Sequence, residues 1–267
     1  MKRVDIVNAI YNAYDEDARL TKSRNGQLES ITTMRYIHAL LPEGAKVLEV
    51  GAGTGRYSVA LAREGYDVSA VELVERNLET LRENAKGLEN LSATQGDATN
   101  LGAFPDDAFD AVLALGPMYH LYAPEDWNRA LDEAIRVTKP GGLIFTAFLS
   151  VYAILYANCL SGNFREGLAE NFDGDFRVRH FEEQGFTGFD ISEFEAQFDG
   201  KPVREIALAG TDSVLELAKR MNGFSLPDEE FEAFVRYHLH TCEIRELLGS
   251  HSHLLHICRK QDGRTNR

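Results

Sequence analysis

The stretch Val47-Leu-Glu-Val-Gly-Ala-Gly-Thr-Gly-Arg-Tyr-Ser58 decides the fold. An apolar run carries an acidic residue, Glu49, and then three alternating glycines, Gly51, Gly53 and Gly55, just where a helix should begin. Glycine has no Cβ, so the backbone can turn tightly and approach a ligand, and the helix that follows offers its unpaired N–H groups. The spacing is G-x-G-x-G. The dinucleotide fingerprint G-x-G-x-x-G would need glycine at position 56, where Arg56 stands, and it has no use for Glu49 inside the strand. The loop alone leaves open a different nucleotide fold or a plain tight turn.

Four later features narrow this. Asp67-Val-Ser-Ala-Val-Glu-Leu73 reads as a strand ending in Glu72, seventeen residues after Gly55, a spacing at which an acidic side chain takes a ribose diol; the plain alternative is a solvated carboxylate. Leu91-Ser-Ala-Thr-Gln-Gly-Asp-Ala98 ends with Asp97 at a strand-to-loop junction, where a carboxylate can read an adenine edge or simply cap a turn. Phe109-Asp-Ala-Val-Leu-Ala-Leu-Gly-Pro-Met-Tyr-His-Leu121 is an apolar strand broken at Gly116-Pro117. Val137-Thr-Lys-Pro-Gly-Gly-Leu-Ile-Phe145 reads as a Pro-Gly-Gly turn feeding a fifth strand.

Taken together, residues 30 to 150 resemble the class I methyltransferases that use S-adenosyl-L-methionine (SAM), and the five features match in order and without gaps. The resemblance implies an α/β fold: a doubly wound, mostly parallel seven-stranded sheet with an antiparallel last strand, an N-terminal helical lid and a variable cap segment. It implies a lid at 1–42, a SAM-binding Rossmann-like core at 43–150, a substrate cap at 151–200 and completion of the sheet at 201–267. It places Glu49, Gly51, Ala52, Gly53, Glu72, Leu73, Asp97, Ala98 and Leu115 around SAM. From the lid it adds Tyr14 beside the sulfonium, as a cation-attracting aromatic face, and Arg24 on the methionine carboxylate. Residues from 150 onward match only loosely, as this family's substrate region does.

Composition narrows the partners. The net charge of −14 argues against a nucleic-acid substrate, since gripping a phosphate backbone takes a basic patch. No run of eighteen apolar residues exists and the N-terminus lacks the apolar core of a signal peptide, so neither a membrane nor export is expected and a cytoplasmic setting is. Cys159, Cys242 and Cys258 are odd in number and widely spaced, which fits reduced thiols. Oligomeric state is not legible.

Periodicity places a first amphipathic helix over residues 4–14 and a second from Leu28 to Leu41, stopped by Pro42 and Gly44. Helices over 56–65, 75–86 and 125–137 separate the strands. Leu254-Leu-His-Ile-Cys-Arg259 is the candidate last strand. Residues 151 to 185 read as helical and irregular, with Tyr152, Leu155, Tyr156, Leu160 and Phe164 supplying an apolar face, placed to roof the cleft at the sheet's C-terminal edge. Arg165 to Gly200 holds ten Asp or Glu and three Arg, either a solvated surface or a cleft rim that disfavours anions.

Methyl transfer is an in-line displacement, so holding a nucleophile against the methyl is the main task, and positioning can supply roughly 7–11 kcal/mol. Amines and thiolates need no base; hydroxyls and carbon acids do. Tyr119 and His120 follow the fourth strand at the mouth of the site and are the candidate catalytic pair, His120 as a base or a packing histidine, Tyr119 as a wall or an orienting hydroxyl. His251-x-His253-x-x-His256 suggests metal only weakly, because no nearby acidic or cysteine partner is visible, and no metal is expected. The expected function is methyl transfer from SAM to a small-molecule N, O, S or C nucleophile. A SAM-binding regulator without transfer is the alternative, with a nicotinamide oxidoreductase behind it.

Overall fold

The computed structural model describes residues 3–13, 19–181 and 184–262. The elements follow the chain as α1 (Arg3–Ala13), α2 (Arg19–Lys22), α3 (Arg24–Leu40), β1 (Lys46–Val50), α4 (Arg56–Arg63), β2 (Asp67–Glu72), α5 (Glu75–Asn84), β3 (Leu91–Gln95) and β4 (Phe109–Ala114). A 3-10 turn (Pro117–His120), α6 (Pro124–Val137), β5 (Thr138–Ser150), α7 (Val151–Leu160), α8 (Phe164–Asn171), β6 (Gly188–Phe189) and α9 (Ile191–Ala196) come next. β7 (Val203–Gly210), α10 (Leu215–Ala218), α11 (Asp228–Thr241), α12 (Arg245–Leu248) and β8 (His253–Lys260) complete it.

The strands lie in the order β3-β2-β1-β4-β5-β8-β7, with β1 to β5 parallel and β8 antiparallel to both neighbours. This is the mostly parallel, doubly wound sheet the sequence implies, with the expected antiparallel last strand, β8, lying between β5 and β7, and with one strand beyond the seven expected: a two-residue β6 that pairs with the end of β5. The Pro-Gly-Gly segment is a correction. Thr138 already pairs with Phe109 and the register shifts before Leu143 pairs with Ala111, so Pro140-Gly141-Gly142 is a bulge inside β5 and not a turn ahead of it. Gly141 there has φ +77°, which glycine alone adopts without strain.

Strand residues alternate between two apolar layers, as period two requires. Val47, Ala111, Leu113, Leu143 and Phe145 pack with Ile37, Leu61 and Tyr66 on one face, while Leu48, Val112 and Ile144 pack with Ala134, Ile135 and Val137 on the other. The helices present matching stripes. α6 opens with Pro124 and two acids, suited to a helix start, and buries Trp127, Ala130, Leu131, Ala134 and Ile135 at i, i+3, i+4 spacing. α3 is capped by the Ser23 hydroxyl, which accepts the Gly26 N–H.

The apolar face expected of 151–164 is corrected too. Tyr152, Tyr156, Leu160 and Phe164 are exposed, and the narrower stripe of Ala153, Ile154, Ala157 and Asn158 turns inward. The acidic stretch serves structure: Asp190 caps α9 in a capping box, Glu193 meets His180, Glu195 pairs with Arg245, and Asp173 accepts the N–H groups of Asp175 and Arg177. Among the described residues no helix is long and apolar enough to cross a membrane.

One contact tests the packing at the sheet's end. A Cβ on Gly210 would meet the buried His251 ring at 2.1 Å, and that ring is held because its Nδ1 accepts the Ser213 N–H at 2.8 Å. Gly210→Ala is therefore expected to destabilise the fold by about 1–3 kcal/mol through overpacking, read as a lower urea midpoint; an unchanged midpoint would show that the ring moves freely.

Candidate active site

Parallel strands end at one edge of a sheet, and loops leaving that edge form the crevice where open α/β sheets take ligands. Here the crevice is a cleft of about 1150 Å³. The glycine loop forms its floor: Gly51, Gly53 and Gly55 have φ of +69°, +57° and +85°, Gly51 and Ala52 donate to the Val71 carbonyl at 2.8 and 3.0 Å, and a Cβ on Gly51 would strike the Pro117 ring at 2.9 Å. So close an approach to the 3-10 turn admits only glycine at position 51.

Glu72 is buried, and its two oxygens accept the Gly53 N–H at 2.7 Å and the Val74 N–H at 2.9 Å. Glu49 lies deeper, accepting the Ser58 hydroxyl; burial, helped by the Glu72 charge, pushes its pKa up to about 8, so it is protonated at neutral pH. Asp97 accepts the N–H and hydroxyl of Thr99, both at 2.9 Å, and pairs through its other oxygen with Arg3 of α1.

The 3-10 turn presents Tyr119 and His120. His120 Nδ1 lies 2.9 Å from the Gly185 carbonyl, so that nitrogen carries the proton, and Nε2 accepts from the Tyr11 hydroxyl at 2.9 Å. Burial pulls its pKa down to about 4. The ring is thus neutral, and its basic nitrogen is engaged by α1. Tyr119 packs edge-on against His253, with ring centroids 5.8 Å apart.

The cleft brings together Glu49, Gly51, Ala52, Gly53, Glu72, Leu73, Asp97, Ala98, Leu115, Tyr119 and His120. Tyr14 lies outside the described residues. Arg24 is a correction: it does not line the cleft. Its guanidinium donates to the Leu226 carbonyl at 3.1 Å, pairs with Asp228 and stacks 4.5 Å over Phe231, tying α3 to α11. A helix side chain covers a fixed arc, and position 24 faces α11. Among the described residues, the cations on the cleft are Arg3, Lys22, Arg56, Lys219 and Arg220.

The histidines near the C-terminus are corrected as well. His251 is buried beneath β7, His256 meets Glu205 at 3.0 Å, and His253 has the acidic neighbours that the sequence hid: ligand atoms of Asp212, Glu216 and His253 all lie within 4.8 Å of one another. Both carboxylates are already spent on donors. Asp212 accepts from Ser252 N, His253 N and His253 Nδ1, and Glu216 from Asn25 and Lys219. That makes a hydrogen-bonded cluster in which a cation would have to displace protons or partners.

Comparisons with known proteins agree with this geometry. The family described as a methyltransferase domain matches residues 47–142. The demethylmenaquinone methyltransferase of Clavibacter sepedonicus is 36% identical over 135 residues, 51% of this chain and 53% of that protein. The enzyme of the same name from Staphylococcus aureus (strain JH9) is 30% identical over 177 residues, 57% of this chain and 72% of that one. The chain belongs to the class I SAM-dependent methyltransferases. It spans about half the length of the first curated relatives it matches. Among solved structures, a SAM-dependent methyltransferase of Thermotoga maritima aligns with a TM-score of 0.56 at 19% identity, covering 96% of this chain and 99% of that one. The [4+2]-cyclase SpnF aligns with a TM-score of 0.58 at 18% identity, covering 88% and 82%. These two share the fold, and the second bears a cyclase's name, so chemistry must be argued from the site.

The buried titratable groups of the protein set its pH response. His120 and His251 are pushed down to about 4 and His238 to about 3, each by burial first, and Glu49 up to about 8. A histidine depressed in the folded state stabilises above its unfolded value, and that stability is lost as pH falls; Glu49 works in the opposite sense between about 4.5 and 8. Near pH 5 unfolding should therefore take up about three protons and release one, so stability drops on acidification below pH 6.5 with a slope that steepens to roughly two protons near pH 5. In His238→Gln the slope should shrink by about one, measured from urea midpoints across that range; a flat profile in the parent would contradict it.

Proposed function

We propose that this chain transfers a methyl group from SAM to a small organic molecule. The observation that carries the reading is the continuity of one cleft: the glycine loop, Glu72 and Asp97 line one part of it, and the variable segment lines another. At about 1150 Å³ it exceeds the roughly 300–1,000 Å³ usual for one ligand, which supports a cofactor and an acceptor held side by side.

In this reading Glu72 accepts the ribose hydroxyls, Asp97 takes the adenine amino group, and Ala52, Leu73, Ala98 and Leu115 form apolar walls. SAM, when bound, supplies an electrophilic methyl on a sulfonium. Residues 1–42 act as lid, 43–150 as cofactor core, 151–200 as cap and 201–267 as completion of the sheet. The acceptor end is lined by Leu149, Ala153, Ile154, Ala157 and Phe186, with Asn158, Asn171 and Gln184 among them, which suits a largely apolar molecule with a few polar groups. The name of the demethylmenaquinone relatives supports a small-molecule acceptor, and the net charge of −14 speaks against nucleic acid. A cytoplasmic setting, where Cys159, Cys242 and Cys258 stay as free thiols, belongs to the same reading.

Titration of the protein with SAM and with NADH by calorimetry should give heat with SAM alone, and incubation with SAM and a metabolite extract should yield S-adenosylhomocysteine. SAM binding without that product would make the chain a SAM-binding regulator. Glu72→Ala should weaken SAM binding by roughly 10- to 150-fold, because hydrogen bonds to a charged acceptor are worth about 1.5–3 kcal/mol each and the loop also loses its anchor at Gly53. Equal affinity in the variant and parent would take Glu72 out of the site.

A further inference from the structure

The cap brings two side-chain amides to the acceptor end of the cleft, Asn171 at the end of α8 and Gln184 in the stretch between α8 and β6. Each is 2% exposed. Gln184 sits on a loop anchored to the 3-10 turn: the Gly185 carbonyl accepts from His120 Nδ1 at 2.9 Å, and the Thr187 N–H donates to the Tyr119 carbonyl at 2.8 Å. Asn171 is held within the cap, its carbonyl accepting the Arg179 N–H at 2.9 Å.

The two amides form a chain whose direction is fixed. Asn171 Nδ2 donates to the Gly167 carbonyl at 2.8 Å, which leaves Oδ1 to accept from Gln184 Nε2 at 3.4 Å; Nε2 also donates to the Arg179 carbonyl at 3.4 Å. Turning either amide over would set oxygen against oxygen. The chain therefore ends in an acceptor, Gln184 Oε1, which meets no donor among the described residues although it is shielded from water. An unmet buried acceptor is costly, and native interiors retain few of them.

We propose that Gln184 selects the methyl acceptor, its Oε1 accepting a hydrogen bond from an O–H or N–H of a neutral or cationic small molecule. This rests on the methyl-transfer reading above.

The terminal torsion of a glutamine is soft. The amide can thus turn Oε1 toward a molecule in the cleft while Nε2 stays within reach of two oxygens that it meets only at 3.4 Å. A donor arriving there satisfies the last open atom of the chain. An ether, carbonyl or carboxylate oxygen in the same place would face Oε1 lone pair to lone pair. Around the amides the wall is apolar, with Leu149, Ala153, Ile154 and Ala157, so no neighbouring group there compensates a wrong one. A site built around a hydrogen bond refuses the analogue that lacks it more strongly than an apolar pocket refuses an added group.

In the test, the parent is incubated with SAM and the metabolite extract, and the methylated product is identified by mass spectrometry. Its unmethylated precursor, and analogues lacking each O–H or N–H in turn, are then titrated by calorimetry into parent, Gln184→Leu and Gln184→Met proteins saturated with S-adenosylhomocysteine. Both variants should bind the precursor at least about 10-fold more weakly than the parent. Their SAM affinity should be equal to the parent's and their urea midpoint equal or higher, because an apolar side chain of similar size removes the unmet acceptor. One analogue should lose at least about 10-fold against the parent and less than about 3-fold against the variants, a coupling that a merely structural glutamine would not show. If the parent forms no S-adenosylhomocysteine, the methyl-transfer reading fails and the selection goes with it. An active parent whose precursor binds both variants within about 3-fold, or whose analogues lose equally against all three proteins, overturns the role of Gln184 alone. A urea midpoint lowered in both variants would assign the amide to holding the cap and overturn it as well.

Discussion

The Glu72 carboxylate, accepting Gly53 N–H with one oxygen and Val74 N–H with the other, joins three things: the end of β2, the glycine loop after β1 and the entrance to α5. A buried charge of this kind persists only when its oxygens are met by donors, and Gly53 can bring its N–H there because the loop runs through left-handed conformations. A second carboxylate beneath it, Glu49, would repel it. The fold resolves the conflict by protonation, because burial and the neighbouring charge raise Glu49 to about 8. The acid that lies deeper is the one kept neutral.

Strand direction then determines what can reach Glu72. The parallel strands β1, β2, β4 and β5 all end at its edge, which is why the glycine loop, Glu72, Leu115 and Leu149 share one cleft. β8 runs the other way, so its first residue, and not its last, arrives at the ligand. Inserting an antiparallel strand beside β5 thus adds His253 and, through β7, Asp212 to an edge otherwise supplied by the ends of parallel strands.

The parts of this molecule that were legible in sequence are those whose chemistry is local. Strand periodicity, the three glycines, the acid closing β2 and the break at Gly116-Pro117 each declare themselves within a few residues, and the structure places them as read. The Pro-Gly-Gly bulge deceived because a turn and a bulge use the same residues, and only the partner strand tells them apart. Arg24 deceived for a similar reason: the resemblance put an arginine at this place ahead of the core, but the helix phase turns it to Asp228, which is 204 residues away in sequence. Tyr152 and Tyr156 carry apolar bulk, yet the smaller Ala153 and Ala157 face inward, since a wall against a ligand needs room. Asp212 and His253 stand 41 residues apart in sequence, and nothing in either neighbourhood signals the other. An HxHxxH string drew attention to His253 for metal, while its actual partner lay across a strand crossing.

Helix α1 shows how a histidine on the cleft is kept neutral. Tyr11 donates to His120, and Arg3 of the same helix pairs with Asp97. Besides burial, the Arg3 charge disfavours protonation of His120, so the helix that covers the ring also keeps it neutral. In the proposed complex an adenine amino group would meet Asp97 in place of the Arg3 guanidinium, one N–H donor exchanged for another, so cofactor entry need not leave a buried carboxylate unpaired. Such an exchange would loosen Arg3 while Tyr11 still held α1 to His120. On this view His120 is the post to which the lid is tied.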